Sequence, residues 1–222
     1  MLYLYHSNAG QTQLHLEGDD HRYIFKVRRH KVEDTINLRN LKDGLLHKYR
    51  ITMLDKRSVH LELLESITHE VKAGKFLHIG WCVIDPKSIE KVLPTLNEMG
   101  VDKITFFYCK RSQKSFKLDF TRLKKILLNS SQQSGRSEMM KLAMADGLEQ
   151  FLEENPKSKM LNFSKNYLTE STLADTIVVG CEGGFTADEV ALFEIKNILG
   201  FNTPLVLKSE SAVCAVASKV LL

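Results

Sequence analysis

At 222 residues the chain is long for one compact domain and comfortable for two. Its 43% hydrophobic and 26% charged residues match ordinary soluble globular proteins; no apolar run nears the ~18 residues of a membrane span, and MLYLYHSNAGQ lacks the basic-then-apolar order of a signal peptide, so a cytoplasmic chain with no membrane role is expected. The net charge of +4 is mild, so its distribution matters more than its total.

Residues 1–69 hold short alternating runs. TINLRNL (35–41), LHKYRITML (46–54) and SVHLELLES (58–66) read as strands, with Asp43-Gly44 as a hairpin turn. GDDHRYIFKVRR reads as a short helix leading to a basic turn. This half predicts a small β-rich domain of the barrel type. Seven of the eight histidines fall within it, so the halves differ in composition.

The polar stretch THEVKAGKF (68–76) reads as the linker, with the second domain running over 75–222. From there strands and helices alternate. KFLHIGWCV is a strand; Asp85-Pro86 caps the helix KSIEKVLPTLNEMG, which closes at Gly100. KITFFYC is the next strand, and FTRLKKILLNSSQQSG an amphipathic helix ending at Gly135. Asp146 starts the short helix GLEQFLEEN, stopped by Pro156. KMLNF, TIVVG and PLVLK are three more strands. Thr186 and Glu189 form a capping box for ADEVALFEIKNILG, stopping at Gly200, and a last helix runs from about Ser209. The alternation predicts an α/β fold, a mostly parallel sheet with helices on both faces. Ligands of such sheets bind at the carboxyl ends of the strands, here 162–166, 180–185 and 207–211.

Cys82, Cys109, Cys181 and Cys214 form no Cys-x-x-Cys pair, and no histidine stands at zinc-ligand spacing from them, so no metal is expected and the thiols read as reduced packing residues. The basic residues cluster. Lys103, Lys110, Arg111, Lys114, Lys117, Arg122, Lys124 and Lys125 face only Asp119 across 103–125, and Arg22, Lys26, Arg28, Arg29 and Lys31 form a second group. By themselves they read as solvated helix faces, and their distribution says more than the total charge.

Three segments carry the candidate chemistry. In GCEGGF (180–185), Gly183 and Gly184 serve a tight turn or let the backbone approach a ligand closely. Glu182 repels phosphate, so a neutral or cationic ligand fits better than a dinucleotide. In LVLKSESAVCAVA (205–217), Ser209 reads as an N-cap, and Ala212, Ala215 and Ala217 serve helix packing or a close backbone contact to a ligand. NSSQQSGRS (129–137) is a solvated helix end or, through Gln133 and Arg136, a base- or phosphate-contacting loop.

These segments, in this order behind a small β-domain, resemble the 16S ribosomal RNA (uracil-N3) methyltransferase family, of the SPOUT class of knotted enzymes. Its Gly-Pro-Glu-Gly-Gly-Phe hallmark matches Gly180, Glu182, Gly183, Gly184 and Phe185, with Cys181 where the family has proline. LKSESA (207–212) and QQSGR (132–136) resemble two further elements, HRYIFKVRR a signature of the first domain, and DPKSIEKVLPTLNEMGVDKITFFYCKRS the family's segment after the linker. The resemblance implies a PUA-like RNA-binding barrel, a C-terminal domain ending in a trefoil knot, and a homodimer. It implies bent S-adenosylmethionine held by Leu161, Asn162, Gly180, Glu182, Gly183, Gly184, Leu207, Lys208, Ser209, Glu210, Ser211 and Ala212. The expected reaction is methylation of a uridine N3 in small-subunit ribosomal RNA, free or in the small ribosomal subunit. Glu210 is the expected base, and Arg136 or Lys208 the cation facing the uridine anion. Arg22, Arg28, Arg29, Lys110, Arg111, Lys114, Lys117, Gln133 and Arg136 are the expected RNA contacts. A non-catalytic ribosome-assembly factor, or a SPOUT enzyme for another RNA, are the alternatives.

Overall fold

The computed structural model describes residues 2–222. The chain forms two compact units: residues up to Lys72 with Leu128–Met139, and Ala73–Leu127 with Met140–Leu222.

The first unit contains β1 (Leu4–Tyr5), β2 (Gln13–Glu17), α1 (Gly18–Arg22) with a π-helical turn over Tyr23–Val27, β3 (Thr35–Arg39), β4 (Leu45–Leu54) and β5 (Ser58–Thr68). They make one sheet in the order β1-β3-β4-β5-β2, antiparallel except for the parallel β1–β3 pair. Alternate residues of paired strands, among them Leu14, Leu16, Leu38, Tyr49, Ile51, Val59 and Leu61, form one buried cluster. Each such side chain contributes ~1.5–3 kcal/mol on burial. The Asp43-Gly44 turn forms as read. Gly44 takes φ +73°, and the Asp43 carboxylate accepts from the Leu45 N–H at 2.9 Å. Register shifts at Lys48/Tyr49 and Ile51/Met53 mark bulges of the kind that curl a sheet. The segment Leu128–Met139 belongs here through hydrogen bonds. Gln132 accepts from the Leu2 N–H through its carbonyl and from the Tyr5 N–H through its side chain, at 2.8 and 2.7 Å.

The second unit contains β6 (His78–Cys82), α2 (Pro86–Met99), β7 (Lys103–Phe107), the start of α3 (Phe120–Ser134), β8 (Lys141–Met144), α4 (Leu148–Glu154), β9 (Lys159–Leu161), β10 (Thr176–Val179), α5 (Ala187–Ala191), β11 (Ile198–Leu199) and α6 (Ser209–Leu221). Its sheet runs β11-β9-β10-β6-β7-β8, parallel throughout. All five residues of β6 are buried, as an interior strand covered on both faces requires. Gly80 in β6 makes room for α4: a Cβ there would stand 2.6 Å from the Phe151 ring. Asp85 caps α2 by accepting from the Ser88 N–H, and Gly100 closes it at φ +100°. α6 packs on α2 and β10. Among the described residues no helix is long and apolar enough to cross a membrane.

Four expectations need correction. Residues 204–208 form no strand: Leu205 and Val206 are 72% and 76% exposed, and apolar character there serves a cleft wall instead of a sheet. The helix after the capping box ends at Ala191 instead of continuing to Gly200; a 3-10 turn over Ile195–Asn197 and the two-residue β11 fill the rest. α4 is capped by Gly147 without a side-chain bond, while the Asp146 N–H donates to Gln150. The cap position of α6 is Lys208, which frees Ser209 for another task.

Candidate functional site

The carboxyl ends of β9 and β10 and the segment leading into α6 surround one cleft of about 930 Å³. One wall is residues 161–165 after β9, with Tyr167; the floor is Val179 and the turn 180–185 after β10; the opposite wall is residues 201–209 with Ala212. Of the expected cofactor residues, Leu161, Asn162, Gly180, Glu182, Gly183, Gly184, Leu207, Lys208, Ser209 and Ala212 line it together. Glu210 and Ser211 stand in the first turn of α6 outside that lining. Gln133 and Arg136 belong to the other unit and are not among the lining residues; Arg136 is 6% exposed.

The floor is a tight turn. The Cys181 carbonyl accepts from the Gly184 N–H at 2.9 Å, and Gly184 takes φ +65°, a left-handed conformation that favours glycine. A side chain at Gly184 would meet nothing within 4 Å, so the constraint there is conformational. At Gly180 a Cβ would approach the Phe185 ring at 3.1 Å, so this glycine leaves space for the largely buried phenylalanine at the end of the turn.

The loop after β7 fastens this turn. Arg111 donates to the Gly183 carbonyl at 2.7 Å. The Lys110 N–H donates to the Glu189 carboxylate at 2.7 Å, while the other Glu189 oxygen accepts from the Thr186 N–H at 2.8 Å. Glu189 is thus both half of the capping box and the anchor of a second loop, which explains why a carboxylate is buried there. The Lys110 ammonium pairs with Asp188 at 2.8 Å on the surface; the pair raises the lysine pKa and lowers that of the aspartate. Two residues read as RNA contacts therefore brace the floor. Lys114 is exposed, and the Lys117 ammonium lies 5.5 Å from the Tyr108 ring centre. In the first unit Arg22, Arg28 and Arg29 are exposed, with the Arg28 guanidinium over Tyr23.

Ser209 joins floor to wall. Its hydroxyl donates to the Gly180 carbonyl at 2.5 Å and accepts from the Trp81 indole N–H at 2.8 Å. All three groups are buried, so β6, the end of β10 and the start of α6 are held by one hydroxyl. Sequence reasoning missed Trp81, because a buried tryptophan in a central strand reads as core. It also missed Tyr167 and residues 201–204 of the lining, because loop residues carry no period to read.

Comparison with known proteins is consistent across the chain. A family model described as an RNA methyltransferase domain matches residues 72–221, and one described as an RNA methyltransferase PUA domain matches residues 16–64. The ribosomal RNA small subunit methyltransferase E of Helicobacter pylori is 37% identical over 222 residues, covering 98% of each chain. Its namesake from Buchnera aphidicola is 24% identical over 191 residues, covering 80% of this chain and 75% of that one. A crystal structure of a ribosomal RNA small subunit methyltransferase E from Neisseria gonorrhoeae, bound to S-adenosyl methionine, superimposes with a TM-score of 0.78 at 20% identity, over 98% of this chain and 95% of that one. The fold is therefore that of these α/β enzymes with a PUA-like N-terminal domain. The chain belongs to the RNA methyltransferase family that includes the ribosomal RNA small subunit methyltransferases E.

Proposed function

We propose that the protein methylates N3 of a uridine in 16S ribosomal RNA, with S-adenosylmethionine bound in the cleft. The observation that carries this is the convergence of three strand-end segments on one glycine-floored cleft, in a chain whose relatives are named for small-subunit ribosomal RNA methylation. The residues fit the group. Leu161, Val179 and Leu207 offer apolar walls for an adenine, the glycine turn exposes backbone amides and carbonyls, and the exposed Glu182 suits ribose hydroxyls or a cationic sulfonium. Bound there, S-adenosylmethionine supplies an activated methyl group.

The chain's own residues position the uridine and manage its proton. N3 is occupied in a base pair, so the target base must be unpaired or swung out before it enters. Glu210, in the first turn of α6, takes the N3 proton, and Lys208, in the cleft wall, offsets the charge that develops on the ring. The Arg111–Gly183 and Ser209–Gly180 bonds hold the floor rigid, the kind of positioning that gives large rate effects. Lys114 and Lys117 of the second unit contact RNA, and Arg22, Arg28 and Arg29 of the first unit contact it separately. This reading also includes a cytoplasmic homodimer whose C-terminal segment is threaded as a trefoil knot.

Incubation with 16S ribosomal RNA and labelled S-adenosylmethionine, then nucleoside mass spectrometry, tests the proposal. The expected product is 3-methyluridine. A ribose 2′-O-methyl product, or label only in transfer RNA, points to a different enzyme of this fold. No product despite cofactor binding points to an assembly factor.

A further inference from the structure

Three of the four cysteines converge beneath the cleft floor. Cys82 ends β6, Cys109 follows β7 and Cys181 follows β10; the sheet order β10-β6-β7 and its parallel register bring these exits to one edge. The Cys109 and Cys181 sulfurs lie 3.4 Å apart, and the Ser112 hydroxyl lies 3.2 Å from the Cys109 sulfur. Both cysteines are buried, yet Cys181 also contributes to the cleft lining, so a small solute in the cleft reaches the pair from that side.

We propose that Cys109 and Cys181 are a reversible modification site: hydrogen peroxide entering the cleft oxidises them to a disulfide, which draws the Cys181–Gly184 turn away from the cofactor. The second half rests on the reading of the cleft given above. The Cys181 thiol gives its proton to water in the cleft, the resulting thiolate attacks one peroxide oxygen, the O–O bond breaks, and the leaving hydroxide takes up that proton to become water. The sulfenic acid on Cys181 is then attacked by the Cys109 sulfur as thiolate. The S–S bond forms, the S–O bond breaks, and the departing hydroxide takes up the proton that Cys109 released. Two thiols lose two electrons and one peroxide becomes two waters.

The surroundings favour the second step. Hydrogen bonds from Cys181 and Cys82 draw the Cys109 thiol below its ordinary range, against burial, whereas its bond to Cys109, together with burial, holds Cys181 above it. The resolving sulfur is thus the more thiolate-like of the two. A disulfide is ~2.0 Å long, so sulfurs now 3.4 Å apart must close by ~1.4 Å. Cys181 is the first residue of the floor turn, which is closed by the Cys181–Gly184 hydrogen bond and tied to Arg111 at Gly183. A short, tied turn passes that displacement to its backbone. Displacing the floor backbone loosens its contacts with the cofactor, so affinity should weaken about tenfold, a loss of ~1.4 kcal/mol.

The experiment uses the full-length protein, treated with hydrogen peroxide and mapped by non-reducing peptide mass spectrometry. The expected result is one intramolecular cross-link joining the Cys109 and Cys181 peptides, reversed by dithiothreitol, and absent in Cys109→Ser. A Cys82–Cys109 link, over-oxidation without a link, or unmodified thiols in the wild-type chain overturns the site. Calorimetry with S-adenosylmethionine on reduced and oxidised protein decides the second half. A reversible loss of about tenfold supports it, and unchanged affinity overturns it. No binding by the reduced protein overturns the cofactor reading and the second half with it, while the cross-link still decides the first.

Discussion

Ser209→Ala removes one hydroxyl and strips two buried groups of their partner, the Gly180 carbonyl and the Trp81 indole N–H. Each buried group so orphaned costs about 1–3 kcal/mol, so the variant should lose about 2–6 kcal/mol. Taking ~3 kcal/mol, and ~2–4 °C of melting temperature per kcal/mol for a chain this size, the midpoint should fall by about 6–12 °C. Calorimetric melting of the wild type and variant measures this, with Trp81→Phe and the double variant completing a cycle. Trp81→Phe removes the donor, so in its background the serine has less to satisfy. The double variant should therefore lose less than the sum of the singles, by about 0.5–3 kcal/mol. Trp81 is the chain's one tryptophan, so its emission in wild type and in Ser209→Ala also reports on the junction itself. A midpoint within ~2 °C of wild type, or strict additivity in the cycle, would refute the idea that one hydroxyl joins floor, wall and central strand.

Gly184→Ala should cost about 1–2 kcal/mol, visible as a lower melting temperature, because φ +65° is strained for alanine although no atom lies near the new Cβ. Burial, aided by the Lys103 charge, holds the His78 imidazole down from 6.5 to about 4. The unfolded chain then binds a proton that the folded one resists, so this stability is fully present above pH ~6.5 and is lost as pH falls toward ~4. Melting over that window should show a shallower slope for His78→Gln than for wild type, and equal slopes would count against the assignment. Lys114→Glu with Lys117→Glu should weaken RNA binding and flatten its salt dependence while leaving S-adenosylmethionine affinity alone; filter binding at two salt concentrations checks both. Glu210→Gln should slow single-turnover methylation by ~10²–10⁴-fold with cofactor affinity unchanged, and a wild-type rate would remove the residue from the mechanism.

What was legible in the sequence was what local chemistry dictates. Asp43-Gly44 made its hairpin because only glycine sits easily at φ +73°, and Thr186 with Glu189 made its capping box because both partners are three residues apart. The glycine turn and the end of β9 beside it were readable as one site because ligands of parallel sheets bind where strands end, whereas residues 207–211 were placed there through a strand that does not form. What failed depended on distant residues. Residues 204–208 have a strand's composition, yet they border a cleft and pair with no strand. β8 and β11 have four and two residues, too few for a period to show. Glu189 reads as a local cap, and nothing near it in sequence reveals that its second oxygen anchors the Lys110 amide. The meeting of Cys109 with Cys181 follows from strand order alone, which spacing cannot reveal.

Crystals grown with S-adenosylmethionine test the central claim most directly. The account predicts density for the donor touching residues 161–164, the turn 180–184 and residues 205–209. Density elsewhere on the chain, or none at saturating donor, would contradict it.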